Sequence, residues 1–369
     1  MSEQKQVHLA ESRQALKMLK EYQKEVNVLL GKYFKEELKK AESVDSLAVS
    51  AVNSIKKFTT AGGKRLRPAL LYYGYLASGG KRIKAVKEAS LAIELIHSFL
   101  LIHDDIMDQD DRRHGVDTIN RKYEKISERY FENKDNKHFG NSIAIVVGDL
   151  CFTMANKVLF KSDFKPIIIL EALNKLQDIV YEVIPGQIRD IRVSFKGEAT
   201  EAEIMKIQEA KTAYYTFDGP IQLGCILAEN TDKKTLKYFT KYSLAMGKAF
   251  QIRDDILGIF GDEKTIGKPV GSDIIEGKRT LLTNYIVRCG SAKDKKNIKS
   301  LLGKQTLTKK ELQLFRNTVK ESGSLDYSKK KGNDLVEEAL KSLKKVDFKN
   351  KEAEIFFRGI AQYIVNREV

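Results

Sequence analysis

Acidic side chains in two places are the residues of this chain best suited to chemistry. The first group, His103-Asp104-Asp105-Ile106-Met107-Asp108, directly follows the apolar run LIHSFLLI, which reads as a buried helix. Asp104 and Asp108 are four residues apart and so share one helical face, a turn from each other. Like charges so placed repel by roughly a few tenths of a kcal/mol. A cation between them reverses that sign. Hard carboxylate oxygens suit Mg²⁺, which keeps several waters and takes one or two carboxylates together with substrate phosphate oxygens. Taken alone, the group also fits an ordinary acidic helix end. A second pair, Asp254-Asp255, stands about 150 residues later in another apolar helical stretch, LAMGKAFQIRDDILGIF. Two such groups could face each other across a cavity and hold a magnesium-bound diphosphate between them.

Cations flank both groups. The segment AGGKRLRPAL offers Lys64, Arg65 and Arg67 beside a tight glycine turn, and successive backbone N–H groups in such a turn can form an anion-binding nest. The same cations could equally cap or solvate a helix start. After the second acidic pair, GDEKTIGKPVGSDIIEGKR adds Lys268 and Lys278 as charge-assisted donors to phosphate oxygens. This is not a phosphate-binding P-loop. Five residues, not four, separate Gly261 from Gly267 and Gly271 from Gly277, and Pro269 and Arg279 stand where that motif has Ser or Thr.

Helices are expected to dominate the elements that position these groups. Apolar residues recur at three- and four-residue spacing, strict alternation is rare, and only five prolines occur. The expected architecture is one all-α domain, residues 21–369, of ten or more helices around a central cavity, with the polar first twenty residues fraying. Within it we expect a helix starting near Pro68 after the Gly62-Gly63 break, and another from about Ile83 to Asp108. The charged segment 124–140 reads as a surface excursion. Thr200 and Glu203 form a capping box opening a long helix through Ala228 with a kink at Pro220. A further helix runs from about Lys234 to Gly261, a glycine-rich loop covers 261–279, and lysine-rich helices over 291–350 lie on the periphery.

Composition excludes several function classes. Hydrophobic residues at 42% and charged residues at 31% describe a globular chain. Cys151, Cys225 and Cys289 are too few and too scattered for a disulfide framework or a cysteine-rich zinc site. No basic-then-apolar signal segment opens the chain. The most apolar helix considered, LAIELIHSFLLIH, is interrupted by Glu94, His97 and His103, so no transmembrane segment and a cytoplasmic location are expected. The net charge of +15 comes from lysines scattered among acids, which fits a solvated surface or an anionic small-molecule substrate better than nucleic acid.

GGKRLRP, HDDIMD, KTAYY and QIRDDILGIFGDEKTIGKPVGSDI, in that order, resemble the trans-prenyl diphosphate synthase family, most closely its geranylgeranyl diphosphate synthases. The likeness runs from about residue 20 to the end and includes GDL at Gly148–Leu150, GQIRD at Gly186–Asp190 and the ending YIVNREV. It implies an all-α isoprenoid-synthase-type fold, a homodimer, and about three Mg²⁺ ions. It also implies head-to-tail condensation of isopentenyl diphosphate with an allylic diphosphate (dimethylallyl, geranyl or farnesyl). By this resemblance Asp104 and Asp108 bind two ions and Asp254 a third, while Asp105, Asp190 and Asp255 support them. Lys64, Arg67 and His97 match the isopentenyl diphosphate pocket. Arg113, Lys211 and Lys268 match the cations on the allylic diphosphate, and Thr212 and Gln251 the polar groups near the developing carbocation.

Two positions depart from the family pattern. Gly258 stands where a third aspartate is common, so the second metal site must lean on Asp254 and Asp255. His114 replaces an arginine that helps hold isopentenyl diphosphate, leaving either His114, which donates a charged bond only when protonated, or Arg112 to fill the role. Phe99 and Leu100, five and four positions before Asp104, lie about 7.5 and 6 Å deeper along a helix, where the family sets product length. One aromatic at the deeper position goes with a C20 product. The alternatives are a farnesyl or longer-chain synthase, another isoprenoid enzyme on the same fold, or a non-catalytic partner subunit, against which Asp104, Asp108, Asp254 and Lys211 argue.

Overall fold

The computed structural model describes residues 3–132, 135–230, 232–261 and 270–366. Lys268 lies outside the described residues. Helix α1 (Glu3–Glu42) buries Ala15, Leu19, Tyr22, Val26, Leu30 and Phe34 along one stripe, the three- and four-residue spacing of an amphipathic helix. The polar segment expected to fray contributes its residues from Glu3 onward to this helix. Ser12 and Ala15 are buried against the C-terminal helix Lys351–Asn366, and Glu11 pairs with Arg358 at 2.7 Å. Small residues on this face permit close helix approach, which a search for bulky apolar residues overlooks.

After α2 (Ser46–Thr60) and α3 (Leu66–Ala77), the expected helix from Ile83 to Asp108 divides into α4 (Ile83–Ala89) and α5 (Leu91–Met107). The break is at Ser90, which is fully buried: its hydroxyl accepts from Tyr22 at 2.9 Å and donates to the Lys87 carbonyl at 2.7 Å. A short hairpin, β1 (Arg112–Arg113) and β2 (Val116–Asp117), pairs antiparallel. The segment 124–140 lies at the surface, as expected, with 128–132 exposed, but most of its described residues are helical. It contains the end of α6 (Ile119–Tyr130) and the start of α7 (Asn136–Phe160). Buried Ser127 donates to Asn136 at 2.6 Å, closing the two helices into a tight pair.

Helix α8 (Pro166–Lys196) carries Pro185 in its interior. The Thr200–Glu203 capping box is present and opens α9 (Glu201–Gln208). The long helix expected to kink at Pro220 instead becomes a π-helix over Glu209–Asp218, followed by α10 (Gly219–Leu227) with Pro220 in its first turn. Proline has no N–H for the preceding turn, and the widened turn just ahead of it is of the kind frequent at functional sites. Helix α11 (Lys233–Phe260) is backed by the helix Ser324–Leu343, which buries Leu335, Val336, Ala339 and Leu343. That element is core, not periphery; its lysines occupy only the outward face. Among the described residues, α7 is long and apolar enough to cross a membrane by length and composition, more so than α5. Its Ala144, Val147, Cys151 and Met154 are nevertheless buried within the protein, where it packs on α5 and α6.

Candidate active site

The helices enclose a cavity of about 650 Å³. On one wall, α5 presents His97, Leu101 and Asp104. Asp104 accepts from Gln187 of α8 at 3.0 Å and lies 3.2 Å from the ammonium of Lys211 on the π-helix. Lys211 also donates to Asp190 of α8 at 2.9 Å. Gly186 makes this junction possible: a Cβ there would fall 2.8 Å from the Ala210 side chain and 3.0 Å from the Lys211 nitrogen. Burial alone would lower the pKa of Lys211, but Asp104, Asp190 and Asp108 together raise it, so the cation persists.

Asp108 has its pKa pushed up to about 6 by burial and by Asp104, against the opposing pull of Lys278 and Lys211. Its Oδ2 is buried and accepts no hydrogen bond among the described residues, with Lys278 standing off at 3.7 Å. Asp105 is fully buried on another face of α5, where it accepts from Arg113 Nε at 2.7 Å. Its structural task is to anchor Arg113, which itself lines the cavity.

The opposite wall is α11. Gly247 lets it approach the π-helix, since a Cβ would fall 2.2 Å from the Ala213 backbone. One turn on, the Thr212 hydroxyl donates to Gln251 Oε1 at 2.7 Å, and Gln251 Nε2 donates to Asp255 at 2.8 Å. The Thr212 oxygen therefore keeps lone pairs for the cavity while its proton is held. Burial, then Asp273 and Asp254, push the Asp255 pKa up to about 8, with the Gln251 bond and Lys278 opposing.

The GGKRLRP turn forms the mouth. Gly63 has φ of +101°, which favours glycine, and Arg65 turns inward to a buried ion pair with Glu94. Lys64 and Arg67 are left to the cavity. Lys64 donates to Tyr363 of the C-terminal helix at 3.1 Å, and Arg67 donates to Thr216 at 2.8 Å while lying 4.3 Å from the centre of the Tyr215 ring. Tyr215 meets His97 through a short hydroxyl–Nδ1 bond. His114 lies at the rim against Gly62, whereas Arg112 is exposed, donates to the Gly115 carbonyl at 3.1 Å and does not line the cavity. Phe99 and Leu100 do not line it either. Phe99 faces α7, its ring 5.1 Å from that of Phe152 and 5.0 Å from that of His103.

A family model described as polyprenyl synthetase matches residues 50–319. The chain belongs to the polyprenyl synthetase family. Among its relatives, a geranylgeranyl diphosphate synthase of Saccharolobus solfataricus is 34% identical over 315 residues, covering 84% of this chain and 87% of that one. One from Methanosarcina mazei is 31% identical over 308 residues, covering 84% and 87%. The crystal structure of geranylgeranyl pyrophosphate synthase from Corynebacterium glutamicum, complexed with isoprenyl diphosphate and magnesium, superposes with a TM-score of 0.89 at 28% identity, covering 95% of this chain and 99% of that one. This polyprenyl synthetase is a prenyltransferase with the all-α isoprenoid-synthase fold, condensing isopentenyl diphosphate head-to-tail with an allylic diphosphate.

The donor set of this polyprenyl synthetase fits divalent cations. Carboxylates crowd both walls, Asp108 keeps a buried oxygen without a hydrogen bond among the described residues, and the ammonium groups of Lys211 and Lys278 stand where positive charge is needed. Among the cavity residues to which the sequence reading assigned no role, Tyr215 lies within the KTAYY segment and Asp273 within GDEKTIGKPVGSDI, while Gln208, which donates to Asp255 at 3.4 Å, gave no local signal.

Proposed function

We propose that this prenyltransferase makes geranylgeranyl diphosphate, using about three Mg²⁺ ions held by Asp104 and Asp108 on one wall and Asp254 on the other, with Asp105, Asp190 and Asp255 in support. The observation that carries the reading is the pairing of two carboxylate walls with the cations Lys211 and Lys278 between them. Bound magnesium would neutralise the negative charge that develops on the departing diphosphate. Lys211 and Arg113 orient that diphosphate, joined by Lys278 and, outside the described residues, Lys268. Lys64, Arg67, His97 and His114 hold isopentenyl diphosphate at the mouth. The allylic carbon–oxygen bond breaks with its electron pair leaving on the diphosphate, and the isopentenyl double bond attacks the allylic carbon. The released diphosphate then takes the proton. Thr212 and Gln251 present oxygen dipoles to the carbocation without a nucleophile strong enough to trap it.

Relatives named as geranylgeranyl diphosphate synthases, and a single aromatic residue at Phe99, support a C20 product. A second reading, a C25 product, is favoured by a geranylfarnesyl diphosphate synthase of Natronomonas pharaonis that is 29% identical over 323 residues. Chain-length analysis of products from radiolabelled isopentenyl diphosphate, with the purified chain and Mg²⁺, separates the two. No turnover by the chain alone would point to a non-catalytic partner subunit. The exposed stripe Tyr181, Ile184, Ile188, Ile191 and Phe195 along α8 supports a homodimer in which a second copy covers it. A monomer by sedimentation at micromolar concentration would sink that part. Isoprenoid synthesis in the cytoplasm completes the proposal and is checked by cell fractionation.

A further inference from the structure

Helix α1 sets two amides, one turn apart, against the GGKRLRP turn. Gln23 Nε2 donates to the Gly63 carbonyl at 2.7 Å, and Asn27 Oδ1 accepts from Arg65 Nε at 2.9 Å. Residues four apart on a helix share a face, so one edge of α1 holds the turn on both sides of Lys64. The two residues it holds are those with left-handed backbones. Gly63 has φ of +101°, and Arg65, which opens α3, has φ of +53°. Glycine takes positive φ about as readily as negative, so it permits this turn without selecting it, and arginine takes it only where its surroundings hold it there. The bond to the Gly63 carbonyl opposes a flip of the Gly63–Lys64 peptide, which would re-aim Lys64. The bond to Arg65, together with its buried ion pair to Glu94, fixes the start of α3 and with it the direction of Arg67.

These amides are not what docks α1 on the protein. Leu19, Tyr22, Val26 and Leu30 are buried for that purpose, whereas Gln23 is half-buried and Asn27 exposed. Gln23 nevertheless lines the cavity. We propose that Gln23 and Asn27 are positioning residues of the isopentenyl diphosphate site, holding Gly63 and Arg65 so that Lys64 and Arg67 converge on one diphosphate. The N-terminal helix thereby becomes part of substrate recognition without itself supplying a charge.

The inference rests on the reading above that Lys64 and Arg67 hold isopentenyl diphosphate. Steady-state kinetics of the full chain with Mg²⁺, farnesyl diphosphate and isopentenyl diphosphate test it. Gln23→Met, which keeps the length of the side chain and loses the donor, should raise the KM for isopentenyl diphosphate about fivefold, the weight of one hydrogen bond. Asn27→Leu should do the same, while Asn27→Asp, which keeps the acceptor, should retain the parent value. The KM for farnesyl diphosphate, kcat and the melting temperature should stay close to those of the parent in all three. An unchanged KM for isopentenyl diphosphate in Gln23→Met and Asn27→Leu would overturn the inference. So would an equal rise for both substrates, which a general loosening of α1 predicts, or an Asn27→Asp variant as impaired as Asn27→Leu. Where Gln23→Met folds poorly, the Asn27 pair decides from an exposed position. Lys64→Met separates the inference from the reading beneath it: no change in the same KM would overturn both, whereas a rise there with none in the α1 variants would overturn the inference alone.

Discussion

The hydroxyl of Tyr215 is hydrogen-bonded to Nδ1 of His97, with the guanidinium of Arg67 over the tyrosine ring. Burial pushes the Tyr215 pKa up to about 12, and burial together with Arg67 and Arg113 holds His97 well below its ordinary value. A protonated phenol therefore donates to a neutral imidazole. That fixes the tautomer and leaves Nε2–H to donate into the cavity at any working pH. Removing the phenol oxygen forfeits that order. Tyr215→Phe should raise the KM for isopentenyl diphosphate about fivefold, the value of one neutral hydrogen bond near 1 kcal/mol, with kcat little changed. A fall in kcat at constant KM would assign Tyr215 to the chemical step instead.

Asp255 makes stability depend on pH in the metal-free enzyme. Its folded-state pKa of about 8 lies above the usual carboxylate value, so between the two the native state holds a proton that the unfolded chain has lost. Stability then falls as pH rises through about 8. Differential scanning calorimetry without metal should show the melting temperature dropping by a few degrees from pH 7 to pH 9. Asp255→Asn should remove that slope; an identical slope in the variant would refute the assignment.

Asp104→Ala and Asp254→Ala each remove a proposed metal ligand while relieving repulsion among neighbouring carboxylates. Lys211 keeps Asp190 as its partner in the first variant. Both should stay folded, with melting temperature unchanged or raised without Mg²⁺, and lose roughly a hundredfold in activity. Near-normal turnover in either would remove the two-wall site from consideration.

His114 has an open rim position and a pKa lowered by burial, Arg113 and Arg65, against Glu94. Because that shift favours the neutral ring, the gain on substituting arginine should depend less on pH than an ordinary histidine would imply. His114→Arg should lower the KM for isopentenyl diphosphate about tenfold or more at pH 8, the value of one charge-assisted bond. The advantage should be smaller at pH 6. Unchanged KM values at both pH values would mean that another group already fills the role.

Phe99 and Phe152 place one ring from α5 against one from α7, and Phe152 also borders a second, more open cavity of about 370 Å³. A growing prenyl tail that reaches Phe99 meets both rings. Phe99→Ala, assayed with farnesyl diphosphate and excess isopentenyl diphosphate, should give products longer than C20. Unchanged length in a folded, active variant would place the floor elsewhere.

Much of the fold and most of the candidate site were legible in the sequence because helical periodicity and the spacing of Asp104 and Asp108 are local. A residue four positions on shares a face whatever surrounds the helix, and the Thr200–Glu203 box needs only its own first turn. Three-dimensional packing decided the rest. The π-turn at Glu209–Asp218 depends on how α8 and α11 press on Gly186 and Gly247, and the burial of Ala15 depends on a helix more than 300 residues away in the chain. Which of Arg112 and His114 faces the cavity follows from a two-residue strand pairing, and which of Lys64, Arg65 and Arg67 stays available follows from one buried glutamate, Glu94. Asp273 is the clearest case. Its approach to Gly258 is set by a backbone bond between a loop and a helix, and no pattern of residue types along the chain encodes that distance.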